Sequence, residues 1–258
     1  MSVTSEKTKV EGGGLGETVK VVVQALLLAF VIRTFLFQPF NIPTGSMENT
    51  LLIGDYLFVS KYAYGYSRYS FPFGLPAFSG RINPFHSDPQ RGDIVVFKLP
   101  SDPNVDYVKR LIGLPGDTVQ VKGGVLFLNG VEVKHEKLPD TTTDGQFGGT
   151  TRVARWKETL PNGVSYETLD LFPDGPADNT EVFKVPAGNY FMMGDNRDNS
   201  SDSRFESKPG SPGVGFVPAE NLEGRAQIIF FSVKDGAPAW MFWQWPWTVR
   251  WNRLFTLL

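Results

Sequence analysis

The chain has 258 residues, 41% of them apolar, and a net charge of −2, which suits one large or two small domains and points to no nucleic-acid partner. It has no cysteine and only two histidines, His86 and His135, which excludes thiol nucleophiles, disulfides and histidine-rich metal sites and leaves little imidazole for a hydrolase. Its 27 glycines and 19 prolines favour short strands and tight turns over long helices.

Residues 1–18 form a polar, glycine-bearing segment that reads as a disordered tail. Residues 19–38 are strongly apolar and close at Pro39. The 18 residues between Lys20 and Pro39 would make a helix of about 27 Å, close to a hydrocarbon core of roughly 30 Å. No small-x-small site follows, so a cleavable signal peptide fits poorly. A buried core helix is the second alternative and an uncleaved transmembrane anchor the first. Lys7, Lys9 and Lys20 precede the segment and no Lys or Arg occurs from Gln38 to Ser60, which puts the N-terminus in the cytoplasm.

From residue 39 to 258 the pattern is β. Asp55–Lys61, Asp93–Leu99 and Tyr107–Gly113 are short β-rich runs. Residues 117–133 read as successive strands turning at Gly123-Gly124 and Asn129-Gly130. Residues 138–186 are polar and read as a hairpin-rich insertion, with strands at Arg152–Leu160 and Val164–Leu171. Val182–Met193 and Glu223–Val233 read as buried strands. Residues 239–258 hold five of the six tryptophans, a composition suited either to packing on the β-core or to the membrane interface.

Three segments could carry chemistry. Pro43-Thr44-Gly45-Ser46-Met47 sets a serine behind a glycine, where backbone can approach a substrate; such a turn is more often structural. In Tyr107–Asp117, strand alternation puts Lys109 on one face with Tyr107 and Leu111. A buried lysine without a counter-charge has a lowered pKa and can act as a base; on spacing alone, a surface lysine is the commoner outcome. Gly194–Arg204 is dense in short polar side chains. Asp198, Ser200 and Asp202 share the first spacings of an EF-hand loop, but Ser203 and Pro209 stand where Gly and Glu are needed, so a polar turn supporting an active site fits better than calcium.

In this order the three segments, with Arg91-Gly92-Asp93, resemble the boxes of bacterial signal peptidase I from about Val19 to Ser232. The resemblance implies a mostly β fold of coiled antiparallel sheets behind one N-terminal transmembrane helix, with the catalytic domain in the periplasm. It implies a Ser/Lys dyad: Ser46 as nucleophile and Lys109 as general base. Ser200 would orient the lysine, and Thr44 would join the Ser46 N–H in the oxyanion hole. Met47 would shape the site, and Asp202 with Arg204 would form a supporting ion pair. The substrates would be preprotein signal peptides in the bilayer, cut after small residues at −3 and −1, with no cofactor and no metal. Departures are Thr44 for the usual serine, Glu48-Asn49 where a proline often stands, and one anchor rather than two. A self-cleaving Ser/Lys repressor and a non-enzymatic membrane-tethered β domain are the rival readings.

Overall fold

The structure, a computed structural model, describes residues 14–71, 78–144, 150–234 and 239–258. Most of the polar tail expected at the N-terminus lies outside them. The apolar segment is an α-helix over Leu15–Val31 that runs on as a π-helical turn, Ile32–Leu36. These 22 residues would extend about 33 Å. Every side chain along them is exposed except Thr34, which removes the core-helix alternative. Phe37 and Gln38 already belong to the first strand, Phe37–Asn41, so the helix both starts and stops earlier than the hydropathy pattern suggests.

Eight strands form the principal sheet. Their order is Phe37–Asn41, Asp55–Ser60, Leu222–Ser232, Ile94–Leu99, Asp102–Gly113, Asn189–Met193 and Val217–Pro218, with Thr256–Leu257 also pairing to Leu222–Ser232. All pairings are antiparallel. Register slips along Leu222–Ser232 mark bulges that bend this strand and let the sheet coil. Three apolar clusters fill the layers. One, around Met47, Leu51, Leu57, Val96 and Ile229, lies beneath the turn that carries Ser46. A second centres on Phe97, Leu111 and Met192, and a third on Ile112, Leu126 and Phe191.

A second sheet holds Phe183–Lys184, Thr118–Lys122, Val125–Leu128 and Val131–Glu132. Its turns are the two expected ones. Gly123, Gly124, Asn129 and Gly130 all have positive φ, at 53°, 78°, 52° and 77°, the two-residue geometry that matches strand twist. The expected single strand Val182–Met193 is instead two strands in different sheets. Pro186 has no N–H to give a ladder, and Gly188 turns the chain at φ 70°.

The polar insertion is a three-stranded sheet, Lys134–Asp144, Thr150–Thr159 and Ser165–Asp170. Lys134–Asp144 was not expected as a strand. It is an edge strand with one partner and a register break between Leu138 and Thr141, beside Pro139, so it carries no apolar alternation. The C-terminal segment does two things at once. Trp245 packs on Phe231 with centroids 5.0 Å apart, whereas Trp240, Trp243, Trp247 and Trp251 are 52–70% exposed.

Candidate active site

Ser46 sits in the middle of a 3-10 turn, Gly45–Met47, entered from an extended Thr44 (φ −132°, ψ 153°). Met47, 1% exposed, plugs the turn into the apolar cluster below, and its carbonyl accepts from the N–H groups of Thr50 (3.1 Å) and Leu51 (2.7 Å). Asn196 clasps the turn from above. Its N–H donates to Ser46 O at 3.1 Å and its Nδ2 to Gly45 O at 3.1 Å.

Lys109 lies within Asp102–Gly113, opposite Val95. Its ammonium sits 5.2 Å from the Tyr107 ring centroid, the neighbour that strand alternation assigns it. Nζ and Ser46 Oγ are 2.5 Å apart. Burial, the largest influence, pulls the Lys109 pKa from the ordinary lysine range down to about 8. Asp202 and then Asp195 pull it back up, and Arg204 pushes it down. A serine hydroxyl in contact with a lysine that can lose its proton near neutrality is the geometry that nucleophilic catalysis with a general base requires.

The Gly194–Arg204 loop closes the far side. An added Cβ on Gly194 would lie 2.2 Å from Ser200 Oγ and 2.5 Å from Ser46 O, so only glycine permits this approach. Ser200 therefore stands beside Ser46, but its buried Oγ makes no hydrogen bond to Lys109. Asp202 and Arg204 form a bidentate pair, both contacts 2.9 Å, with Asp202 also accepting from the Gly194 N–H at 3.0 Å. Burial alone would raise the Asp202 pKa; Arg204 and the Gly194 N–H outweigh it and hold the carboxyl below the usual range. Thr44 is exposed and its hydroxyl caps nothing in the turn.

The calcium spacing dissolves in three dimensions. Asp202 faces Arg204, whereas Asp198 turns away to accept from the N–H groups of Leu171 and Phe172 at 2.8 and 2.9 Å. There it meets Asp170 and Asp178, the three carboxylates lying within 4.8 Å of one another. Burial, then Asp198 and Asp178, pushes the Asp170 pKa up to about 6.

An open cleft of about 530 Å³ leads to Ser46 and Lys109. Phe40, Ile42, Pro43 and Thr44 line one side, Val105, Tyr107 and Val108 the other, with Ser46 and Lys109 between them. Both sides are strand edges. Among the described residues, Phe37–Asn41 ends its sheet and Asp102–Val108 pairs only with Ile94–Leu99, since Asn189–Met193 joins it from Arg110 onward.

A family model described as "Signal peptidase, peptidase S26" matches residues 15–231. Curated proteins named Signal peptidase I resemble the chain over 217 residues, 81% of this chain and 77% of theirs: those of Rickettsia akari at 44% identity and of Rickettsia typhi and Rickettsia prowazekii at 46%. A solved signal peptidase I from Enterococcus faecalis is 28% identical, covering 54% of this chain and 97% of that one at a TM-score of 0.31. The chain belongs to the signal peptidase I family.

Within this signal peptidase I site, several participants escape a reading of motifs. Arg110, next to Lys109 but on the opposite strand face, is buried and grips Asp195 at 2.8 and 2.6 Å, while Thr50 Oγ1 donates to the same carboxylate at 2.5 Å. Arg197 donates to Glu158 at 2.5 Å, and Tyr166 donates to Glu158 at 2.7 Å. Asp195 and Arg197 lie inside the dense polar box and were within reach of sequence reading. Glu158 and Tyr166 come from the polar insertion, where no local pattern marks them.

Proposed function

We propose that the protein is a membrane-anchored serine endopeptidase that removes N-terminal signal peptides from exported preproteins. The 2.5 Å approach of the buried Lys109 Nζ to Ser46 Oγ carries this reading. Neutral Lys109 takes the Ser46 proton as Oγ attacks the scissile carbonyl. The Ser46 N–H, in the first turn of a helix and so without an intrahelical acceptor, and the uncommitted Thr44 hydroxyl stabilise the oxyanion. Lys109 then protonates the leaving amine, and water hydrolyses the acyl-enzyme with Lys109 as base. Ser200, once its hydroxyl turns to the amine, completes the set.

The substrate enters extended, between the two unpaired strand edges, where main-chain hydrogen bonds fix its register. The apolar walls from Ile42, Pro43 and Val108 suit small apolar side chains at −3 and −1. Wild type should therefore release the signal peptide from a preprotein with an Ala-x-Ala site, and Ser46→Ala should not. The acid limb of kcat/KM should be centred near pH 8, because only the unprotonated Lys109 accepts a proton. A profile flat from pH 6 to 9, or cleavage by Ser46→Ala, would remove the dyad from the mechanism.

The exposed apolar helix is the anchor, with the tail inside and the catalytic domain on the outer side of the inner membrane, as the lysine distribution directs. The exposed tryptophans near the C-terminus make a second contact with lipid. The anchor contains no tryptophan, and Trp156 is the only one outside the C-terminal segment. In vesicles whose acyl chains carry bromine, tryptophan emission of the full chain should drop by more than half. Emission equal to that in unbrominated vesicles would show that the segment stays in water.

A further inference from the structure

We infer that the polar three-stranded sheet acts as a brace that positions the nucleophile turn, with Thr143 and Glu48 as its positioning residues. The inference rests on Ser46 being the nucleophile. The sheet reaches back to the site at several points, through the side chains of Glu48, Asn49 and Arg197 and the backbone of Asp195 and Arg197. Thr143, buried near the end of Lys134–Asp144, donates its hydroxyl to Glu48 Oε1, 95 residues away in sequence and two positions past Ser46. The other carboxylate oxygen, Glu48 Oε2, accepts from Asn196 Nδ2 at 3.3 Å. That same Nδ2 holds Gly45 O, and the Asn196 N–H holds Ser46 O. Thr143, Glu48 and Asn196 thus form one chain of hydrogen bonds that ends on the two carbonyls flanking the Ser46 N–H.

The remaining contacts fix the same region from other directions. Asn49, held at a left-handed φ of 84°, donates through Nδ2 to Glu167 Oε2 at 2.8 Å. Leu169 exchanges backbone bonds with the polar box, its N–H to Asp195 O and its carbonyl from the Arg197 N–H, both 2.9 Å. Glu158 holds Arg197, whose Nε reaches Gly194 O at 3.2 Å. A sheet serving only as filler would present apolar side chains here. This one presents a hydroxyl and two carboxylates, aimed at Glu48, Asn49 and Arg197. A displacement of about 1 Å at a reacting group costs on the order of a hundredfold in rate, so such a clasp is felt in turnover before it is felt in folding.

Thr143→Val removes the hydroxyl, keeps the shape and touches no catalytic group. In steady-state cleavage of an Ala-x-Ala preprotein, its kcat should fall about tenfold, with KM within about twofold and the unfolding temperature nearly unchanged. Thr143→Ser should restore the rate, and Glu48→Gln, which keeps one acceptor of two, should be slowed in the same way. An unslowed Thr143→Val overturns the inference, whether or not it is less stable, because a structural contact alone would move stability and spare the rate. Wild type and Ser46→Ala run beside it separate the two ideas. Cleavage that depends on Ser46 but not on the Thr143 hydroxyl removes only the brace. An inactive wild type or an active Ser46→Ala removes the reading of the site on which the brace rests.

Discussion

Replacing Lys109 by methionine should abolish cleavage and make the folded protein more stable at neutral pH. The loss follows from removing the proposed base; in serine hydrolases, deleting one member of the catalytic unit costs about 10⁴–10⁶ in kcat. The gain follows from burial. Lys109 is 3% exposed and titrates near 8, against about 10.4 in an unfolded chain. Below pH 8 the lysine is charged in both states, and folding carries the whole cost of burying an ammonium, on the order of 3 kcal/mol. Between about pH 8 and 10.4 the unfolded chain holds a proton that the folded protein has released, so wild-type stability climbs with pH. Methionine fills the same slender volume without a charge. The advantage of Lys109→Met should therefore be largest at pH 7 and nearly gone at pH 10.5, as thermal unfolding in detergent can read. A variant less stable than wild type at pH 7 would mean that the lysine is not held at a cost.

Asp202→Asn should be the most damaging isosteric change outside the dyad. Arg204 and Asp202 are fully buried partners, 1% and 0% exposed at the side chain, and removing one charge strands the other. Breaking such a pair costs about 3–5 kcal/mol. The second effect is on catalysis. Asp202 leads the groups that raise the Lys109 pKa, so its loss lets burial pull the lysine below 8 and moves the acid limb of kcat/KM to lower pH. The depressed pKa of Asp202 means its contribution is complete above about pH 4 and is lost as pH falls further, so the destabilisation should be undiminished across the working range. Denaturant unfolding at pH 7 measures the first effect and a pH–rate profile the second. An acid limb that stays near 8 would detach Asp202 from the lysine.

How far the site could be read in advance depended on the distance over which each contact acts. Period-two alternation placed Lys109 with Tyr107, and the structure puts the ring 5.2 Å from Nζ. The turns at residues 123–124 and 129–130 were legible because positive φ selects Gly and Asn locally. Glu158 and Thr143 were not legible. Their partners, Arg197 and Glu48, lie 39 and 95 residues away, and nothing in a polar strand announces which side chain will be buried. The split of Val182–Met193 was hidden because its apolar residues serve two sheets, and Pro186 with Gly188 is the only local sign. Ser200 shows the limit of a motif. Its place beside the dyad follows from the box, but the direction of its hydroxyl does not.

The strand order has a consequence for when the enzyme comes into being. The Ser46 turn lies between the strands of one hairpin, Phe37–Asn41 with Asp55–Ser60, and Lys109 rides on another, Ile94–Leu99 with Asp102–Gly113. Each hairpin is local and can form soon after synthesis. What joins them side by side is Leu222–Ser232, from near the end of the chain, itself flanked by Thr256–Leu257. A nascent chain on the ribosome can therefore hold its serine and its lysine long before it has the strand that brings them together. On the proposed mechanism the catalytic pair stays divided between two hairpins until Leu222–Ser232 has been made, so the order of the strands itself keeps the protease silent early in its synthesis.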